Sequence, residues 1–230
     1  MEVFANAPVV EAILSFQFGP VDNLSDSLRY FADALSGSFA RPVERQEKLF
    51  PSGYRTTYTI ESLDGLCQIR VGRNSFSFHR LPPYSTWADL EAGARATWTE
   101  FVRHYAPELI NGVSLRYVNH IQLPGGKLAD YFRLLPQVPK AIDTGSDDFL
   151  MRIVLRDPAV PAVAEVTQLL MPGRENLSPV IVFDIDVSIA GGEYADPDGA
   201  ELWDAVARLR EYKNRLFFSS ITPEARELFR

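Results

Sequence analysis

The chain is poor in the residues that build disulfides and membrane spans. It has one cysteine, Cys67, among 230 residues, which excludes an internal disulfide framework and a zinc site built from several cysteines. No stretch approaches the roughly 18 consecutive apolar residues of a membrane-spanning helix. The opening residues, Met1 to Asn6, lack the basic segment that begins a signal peptide. These absences predict a cytoplasmic protein that does not enter a membrane.

Basic residues are also scarce. The chain has 23 Lys and Arg against 30 Asp and Glu, which gives a net charge of −7 and an isoelectric point near 5.1. A protein that holds nucleic acid with its whole surface needs surplus Lys and Arg to neutralise phosphates. The charge balance therefore disfavours nucleic-acid binding, which we keep as a second alternative because a local basic patch would suffice.

Familiar catalytic and cofactor motifs are missing as well. The three histidines are His79, His104 and His120, and no His-x-x-x-His or Cys-x-x-Cys pair is present. There is no Gly-x-Ser-x-Gly elbow for a serine nucleophile and no glycine-rich phosphate loop. We therefore predict no cofactor and no metal, and we favour a protein that is not an enzyme.

Apolar residues make up 46% of the chain, and their spacing predicts both strands and helices. The segment from Pro8 to Phe18 alternates apolar and polar residues, as in a strand with one buried face. Helical patterns begin at Asp22 or Asn23, at Thr86 and at Asp198, each with a capping residue. The remaining predicted strands are 43–49 (an edge), 54–61, 66–71, 76–81, 112–123, 149–156, 163–171 and 180–189, and a short helix is predicted at 128–135.

The predicted elements run in the same order in each half of the chain: strand, helix, several strands, long helix. We interpret this as two tandem β-α-β(3–4)-α pseudo-repeats, about 7–106 and 111–222, within one domain of residues 1–230 and followed by a short C-terminal helix at 222–230. The fold class is α+β, with a curved antiparallel sheet and long helices on one face. As a fold analogy, duplicated units of this shape resemble the saddle of TATA-box-binding-protein-like folds.

If helices cover one face of the sheet, the other face presents polar side chains. Arginine forks suit carboxylate and phosphate oxygens, so this face is a candidate site for a small anionic ligand. Asp184 and Asp186 point the same way from one strand and could hold Mg²⁺ or act in acid–base chemistry. The competing interpretation is an ordinary solvated sheet face. The candidate ligand-binding residues are Arg70, Arg116, His120, Arg152, Asp184 and Asp186.

Three stretches resemble a sporadically distributed family of uncharacterised bacterial proteins of about this size. They are residues 8–13 (PVVEAI), residues 115–121 (LRYVNHI) and the ending from Phe217 to Phe229. The resemblance implies carriage on mobile elements, as for toxin–antitoxin or phage-defence components, and it implies no activity or cofactor. Within the second stretch, Tyr117 and Asn119 fall on the apolar side of their strand, so Asn119 must find buried hydrogen-bond partners.

The leading functional hypothesis is a non-enzymatic binding module that acts with a protein partner in the cytoplasm. It rests on the missing catalytic motifs and on the mixed polar sheet face. The alternative is an enzyme or sensor that holds an anionic small molecule on the open sheet face. A homodimer is compatible with either.

Overall fold

The computed structural model describes residues 4–21, 24–48, 53–137, 139, 141, 148–157, 161–173 and 178–230. The fold is α+β, with one large antiparallel sheet and five helices in the described residues. The strands are β1 (Val9–Phe18), β2 (Val43–Lys48), β3 (Tyr54–Glu61), β4 (Cys67–Gly72), β5 (Ser75–Arg80), β6 (Ile110–Gln122), β7 (Phe149–Asp157), β8 (Ala162–Met171) and β9 (Val180–Tyr194). The helices are α1 (Leu24–Ala34), α2 (Trp87–Tyr105), α3 (Leu128–Tyr131), α4 (Ala200–Ser220) and α5 (Pro223–Glu227).

The nine strands pair in the order β2-β3-β4-β5-β1-β6-β9-β8-β7. The strands before α2 form one side of the sheet and those after it form the other. The sides meet where β1 pairs with β6 along almost the whole of both strands. As predicted, the strand that begins at Val43 lies at an edge, and all six of its residues are exposed.

The predicted alternation of β1 decides which face of the sheet is buried. Leu14 and Phe16 have no exposed surface, whereas Ser15 and Gln17 between and beside them retain some. The Phe16 ring packs against Trp98 of α2, with the centroids 4.3 Å apart, and meets Trp203 of α4 edge-on at 5.7 Å. Both long helices therefore cover the same face of the sheet, and we call the opposite face the open face.

Capping chemistry explains where the long helices begin. The Thr86 side chain accepts a hydrogen bond from the Asp89 backbone N–H at 3.2 Å, so the predicted cap of α2 is confirmed. The predicted cap of α4 at Asp198 is wrong, because Gly199 occupies that position. The Asp198 carboxylate instead accepts hydrogen bonds from Thr99 and Trp203, which tie α2 to the start of α4. Asp22 and Asn23 lie outside the described residues.

The chain ends return to the helix-covered face. Helix α5 is capped by Thr222, whose hydroxyl accepts from the Ala225 N–H at 3.2 Å, and Pro223 takes the first helical position as predicted. The Asn6 N–H donates to the Phe229 carbonyl at 2.9 Å. Among the described residues, no helix is long and apolar enough to cross a membrane.

Candidate functional site

The structure places the six residues of the predicted site on strands of the open face. Arg116 of β6 binds Asp184 of β9 through two nitrogens, with Nε 2.9 Å from Oδ1 and Nη2 2.6 Å from Oδ2. Arg152 of β7 binds Glu165 of β8 in the same forked way. Arg70 donates to the neighbouring Gln68 at 2.7 Å. The arginines therefore have protein partners already, and a ligand would have to compete with them.

Asp186 differs from the other carboxylates of the open face. It lies directly opposite Arg116 on one side and Glu165 on the other, and its Oδ1 atom is buried without a hydrogen-bond partner. Burial raises its pKa to about 6, an effect that Arg116 opposes and that Asp184 reinforces. Asp184 and Asp186 do share a face, as predicted. Among the described residues, no three His, Cys, Asp or Glu side chains cluster as a metal site.

A second acid–base pair on this face was not singled out from the sequence. His79 is only 3% exposed, and its Nδ1 lies 2.7 Å from Glu11 Oε1 while its Nε2 lies 2.8 Å from Ser77 Oγ. Burial lowers the pKa of His79, and the hydrogen bond to His79 lowers the pKa of Glu11. The adjacency of β1 and β5 in the sheet brings these residues together. His120, by contrast, is exposed.

A cavity of about 500 Å³ lies on the other side of the sheet, under the helices. It is partly open to solvent and is lined mainly by apolar and aromatic side chains. None of the six predicted site residues lines it. The lining residues are Phe4, Ala7, Pro8, Val9, Tyr84, Ser85, Thr86, Trp87, Ala88, Tyr117, Asn119, Arg210, Lys213, Asn214, Phe217 and Phe218.

Two cations enter this cavity from α4. Lys213 is half-buried, with its Nζ 3.8 Å from the centre of the Tyr117 ring, and the Arg210 guanidinium lies 4.9 Å from the centre of the Trp87 ring. Within the described part of the chain, no carboxylate forms an ion pair with either cation. Burial and the neighbouring Arg210 lower the pKa of Lys213 to about 7. The cavity therefore holds positive charge that these residues do not neutralise.

Two tyrosines stand beside the cations. The hydroxyls of Tyr84 and Tyr117 are 2.9 Å apart and share one hydrogen bond. Burial raises the pKa of both phenols, so both stay protonated at neutral pH. Because one phenol donates to the other, one O–H of the pair is left to donate elsewhere. The pair adds a hydrogen-bond donor to the positive charge of the cavity.

A bulge in β1 shapes the opposite wall. The pairing of β1 with β6 shifts by one residue between Val9 and Glu11, so that Val9 lies opposite Asn119. The shift places Val9 on the cavity side, where simple alternation would have placed Val10. Asn119 is 2% exposed and donates from Nδ2 to the Phe183 carbonyl at 2.9 Å. The predicted buried partner of Asn119 is thus a backbone carbonyl of β9.

Residues from three separate stretches, 8–13, 115–121 and 217–229, line this cavity. Pro8 and Val9 come from the first stretch, Tyr117 and Asn119 from the second, and Phe217 from the third. These segments are far apart in the chain, and the sheet order and the return of the C-terminus bring them together.

The sequence contains an unpredicted signal for this site, which is a lysine within the apolar stripe of α4. The buried stripe of α4 runs through Leu202, Val206, Leu209 and Phe217. Lys213 follows Leu209 by four residues and precedes Phe217 by four, so a lysine occupies a position that the helical period assigns to the core. A charged side chain in a buried stripe marks either a partner or a site.

No protein-family model and no curated protein matches the chain.

Proposed function

We propose that the protein is a non-enzymatic binding module whose cavity between the helices and the sheet takes a small amphipathic anion. The observation that carries the proposal is the pair of cations, Lys213 and Arg210, that face a largely apolar cavity without an acidic partner among the described residues. A cation taken partly out of water costs free energy unless an opposite charge or good hydrogen bonds compensate it. A bound anion would supply that compensation.

The chemistry of the walls narrows the ligand class. Aromatic side chains from Trp87, Phe217 and Phe218 favour an apolar body, and the two cations with the tyrosine pair favour a carboxylate or phosphate head. A volume of about 500 Å³ lies within the range of ordinary small-molecule sites. We therefore propose an aryl or alkyl carboxylate or phosphate monoester as the ligand class.

The sequence analysis placed an anionic ligand on the open face, and we now propose an anionic ligand on the helix-covered face. The reason is charge balance: Arg116 and Arg152 are each engaged by a carboxylate, whereas Lys213 and Arg210 pair with none among the described residues. A protein partner and a cytoplasmic location stay predictions, as does membership of the sporadically distributed bacterial family, and nucleic-acid binding stays the disfavoured second alternative.

We also propose that the two halves arose by duplication, with a curved sheet shared between them. The strand order supports this, because β2-β3-β4-β5-β1 and β6-β9-β8-β7 place the first strand of each half at the centre of the sheet. A long helix closes each run of strands. The comparison that tests the duplication is superposition of residues 7–106 on 111–222, which should match the strands in the order β1 with β6 and β5 with β9.

The binding proposal is tested with a fluorescent aryl sulfonate, 1-anilinonaphthalene-8-sulfonate, whose charge is fixed across the working pH range. Lys213→Met removes the charge and keeps most of the length of the side chain, and Arg208→Met removes a charge at an exposed position of α4. At pH 6 we expect the Lys213 variant to bind the probe about tenfold more weakly, with the Arg208 variant unchanged. Equal affinity in all three proteins, or no binding to the wild type, would overturn the proposal.

A further inference from the structure

We propose that the protein forms a two-fold symmetric dimer in which the β2 edge of one copy pairs antiparallel with the β2 edge of a second copy. β2 is the last strand on its side of the sheet, and β3 is its only strand partner in the described residues. All six residues of β2 are exposed, and it contains neither proline nor glycine. Its outer edge therefore offers a regular row of backbone donors and acceptors to another strand.

The sheet geometry limits the registers that such a dimer can adopt. Two identical strands that pair antiparallel across a two-fold axis must present the same face of the sheet on the same side. Residues opposite one another must then be an even number of positions apart in the sequence, or be the same residue. Arg45 and Glu47 lie on the open face, opposite Thr57 and Arg55, and the alternate residues lie on the helix-covered face.

Charge selects one register from this set. With Gln46 opposite Gln46, each Glu44 faces a Lys48 and each Arg45 faces a Glu47, which gives four opposite-charge pairs and an uncharged centre. Centring on Arg45 places Arg45 opposite itself, and centring on Glu47 places Glu47 opposite itself. Charges on an edge strand ordinarily prevent pairing with other strands. In the register centred on Gln46, however, β2 of a second copy presents complementary charges.

The other edge of the sheet lacks this property. In β7, Arg152 and Arg156 lie on one face of the strand and Asp157 lies on the other, because they sit at even and odd positions. No face-matched register of two β7 strands can place an arginine opposite an aspartate. The complementarity therefore belongs to β2 and is not a general feature of the sheet edges.

A charge exchange tests the register. Lys48→Glu turns two attractive pairs into repulsive ones, and Glu44→Lys combined with Lys48→Glu restores them with the signs exchanged. Within one chain these residues lie opposite Tyr58 and Tyr54, so the exchange creates no new like-charge pair with β3. By sedimentation equilibrium up to about 1 mM protein, we expect Lys48→Glu to weaken the dimer about tenfold or more, and the double variant to return to within about threefold of the wild type.

A disulfide probe tests the axis independently. Gln46→Cys in a Cys67→Ser background places two thiols at the proposed two-fold axis, where opposed Cα atoms of antiparallel strands are about 5 Å apart, within disulfide range. Glu44→Cys in the same background is the control, because its copies are about 14 Å apart in this register. We expect rapid covalent dimers only for position 46. A wild type that stays monomeric at 1 mM, a dimer indifferent to Lys48→Glu, or equal cross-linking at 44 and 46 would each overturn the proposal.

Discussion

The two faces of the central sheet handle charge in opposite ways. On the open face, Arg116 and Arg152 each form an ion pair with a carboxylate, and Glu11 contacts His79. On the helix-covered face, Lys213 and Arg210 lie over aromatic rings and pair with no carboxylate of the described residues. Arg116 and Arg152 are thus neutralised by neighbouring carboxylates, although Asp186 beside them lacks a hydrogen-bond partner for Oδ1, whereas the two cations of the cavity have no carboxylate partner among the described residues. Unbalanced charge indicates a ligand more directly than charge density does.

The test with the largest expected effect compares substitutions at two adjacent residues of β1. Phe16 is fully buried against Trp98 and Trp203, so Phe16→Ala should lower the free energy of unfolding by about 3–5 kcal/mol. Ser15 points to the open face, and Ser15→Ala should change it by less than about 0.5 kcal/mol. Urea unfolding measures both. Similar losses at the two positions would mean that the open face is covered in solution.

The second test breaks the charge balance of the open face. Arg116→Met leaves Asp184 and Asp186 without their cation, and we expect a loss of about 2 kcal/mol at pH 8, because both carboxylates are largely shielded from water. Arg152→Met should have no measurable effect on stability, since Arg152 and Glu165 are exposed. Urea unfolding at pH 8 separates them, and equal effects of the two variants would contradict the distinction.

The third test concerns the proton on Lys213. A pKa of about 7 means that Lys213 is mostly charged at pH 6 and mostly neutral at pH 8. Binding of the aryl sulfonate should therefore weaken about fivefold across this interval, since removal of the Lys213 charge is expected to weaken it about tenfold. Tyr84 and Tyr117 stay neutral because burial raises their pKa values. Fluorescence titration should show no such pH dependence in Lys213→Met, and an equal dependence in that variant would assign the proton to another group.

The test with the smallest expected effect concerns the pKa of Asp186 and its effect on stability. Its pKa of about 6 in the folded protein lies above the ordinary value of 3.8, so the folded state binds more protons than the unfolded state between about pH 4 and 6. Stability should fall as pH rises through this window, and the cost should be complete above it. Asp186→Asn should thus stabilise the protein by about 1 kcal/mol at pH 8, a value reduced for partial solvent access. The gain should disappear near pH 4 in urea unfolding. Equal gains at both pH values would show that Asp186 is not the titrating group.

Much of the secondary structure could be predicted, because its causes are local. The alternation of β1, the cap of α2 at Thr86 and the polar edge strand at Val43 are properties of neighbouring residues, and all three are confirmed. The cap of α4 was mispredicted because the Asp198 carboxylate accepts hydrogen bonds from the nearby Trp203 and from Thr99 of α2, and the tertiary fold supplies the second of these partners. The bulge that turns Val9 toward the cavity depends on pairing with β6 and leaves no mark on the alternation.

The candidate site was harder to predict than the elements that carry it. Arg116, Asp184 and Asp186 were correctly placed on one face, since side-chain direction in a strand follows from parity alone. Parity does not say that Arg116 and Asp184 lie side by side and bind each other, which depends on the pairing of β6 with β9. Lys213 was not predicted, because its only mark in the sequence is a place in an apolar stripe, and its role depends on which residues lie opposite.

The amino-acid sequence by itself determined the fold class and most strands and helices, since periodicity and capping act over a few residues. The tertiary structure decided which charges are neutralised and which are left over, because that depends on neighbours brought from distant parts of the chain. It joined Pro8, Tyr117 and Phe217 around one cavity.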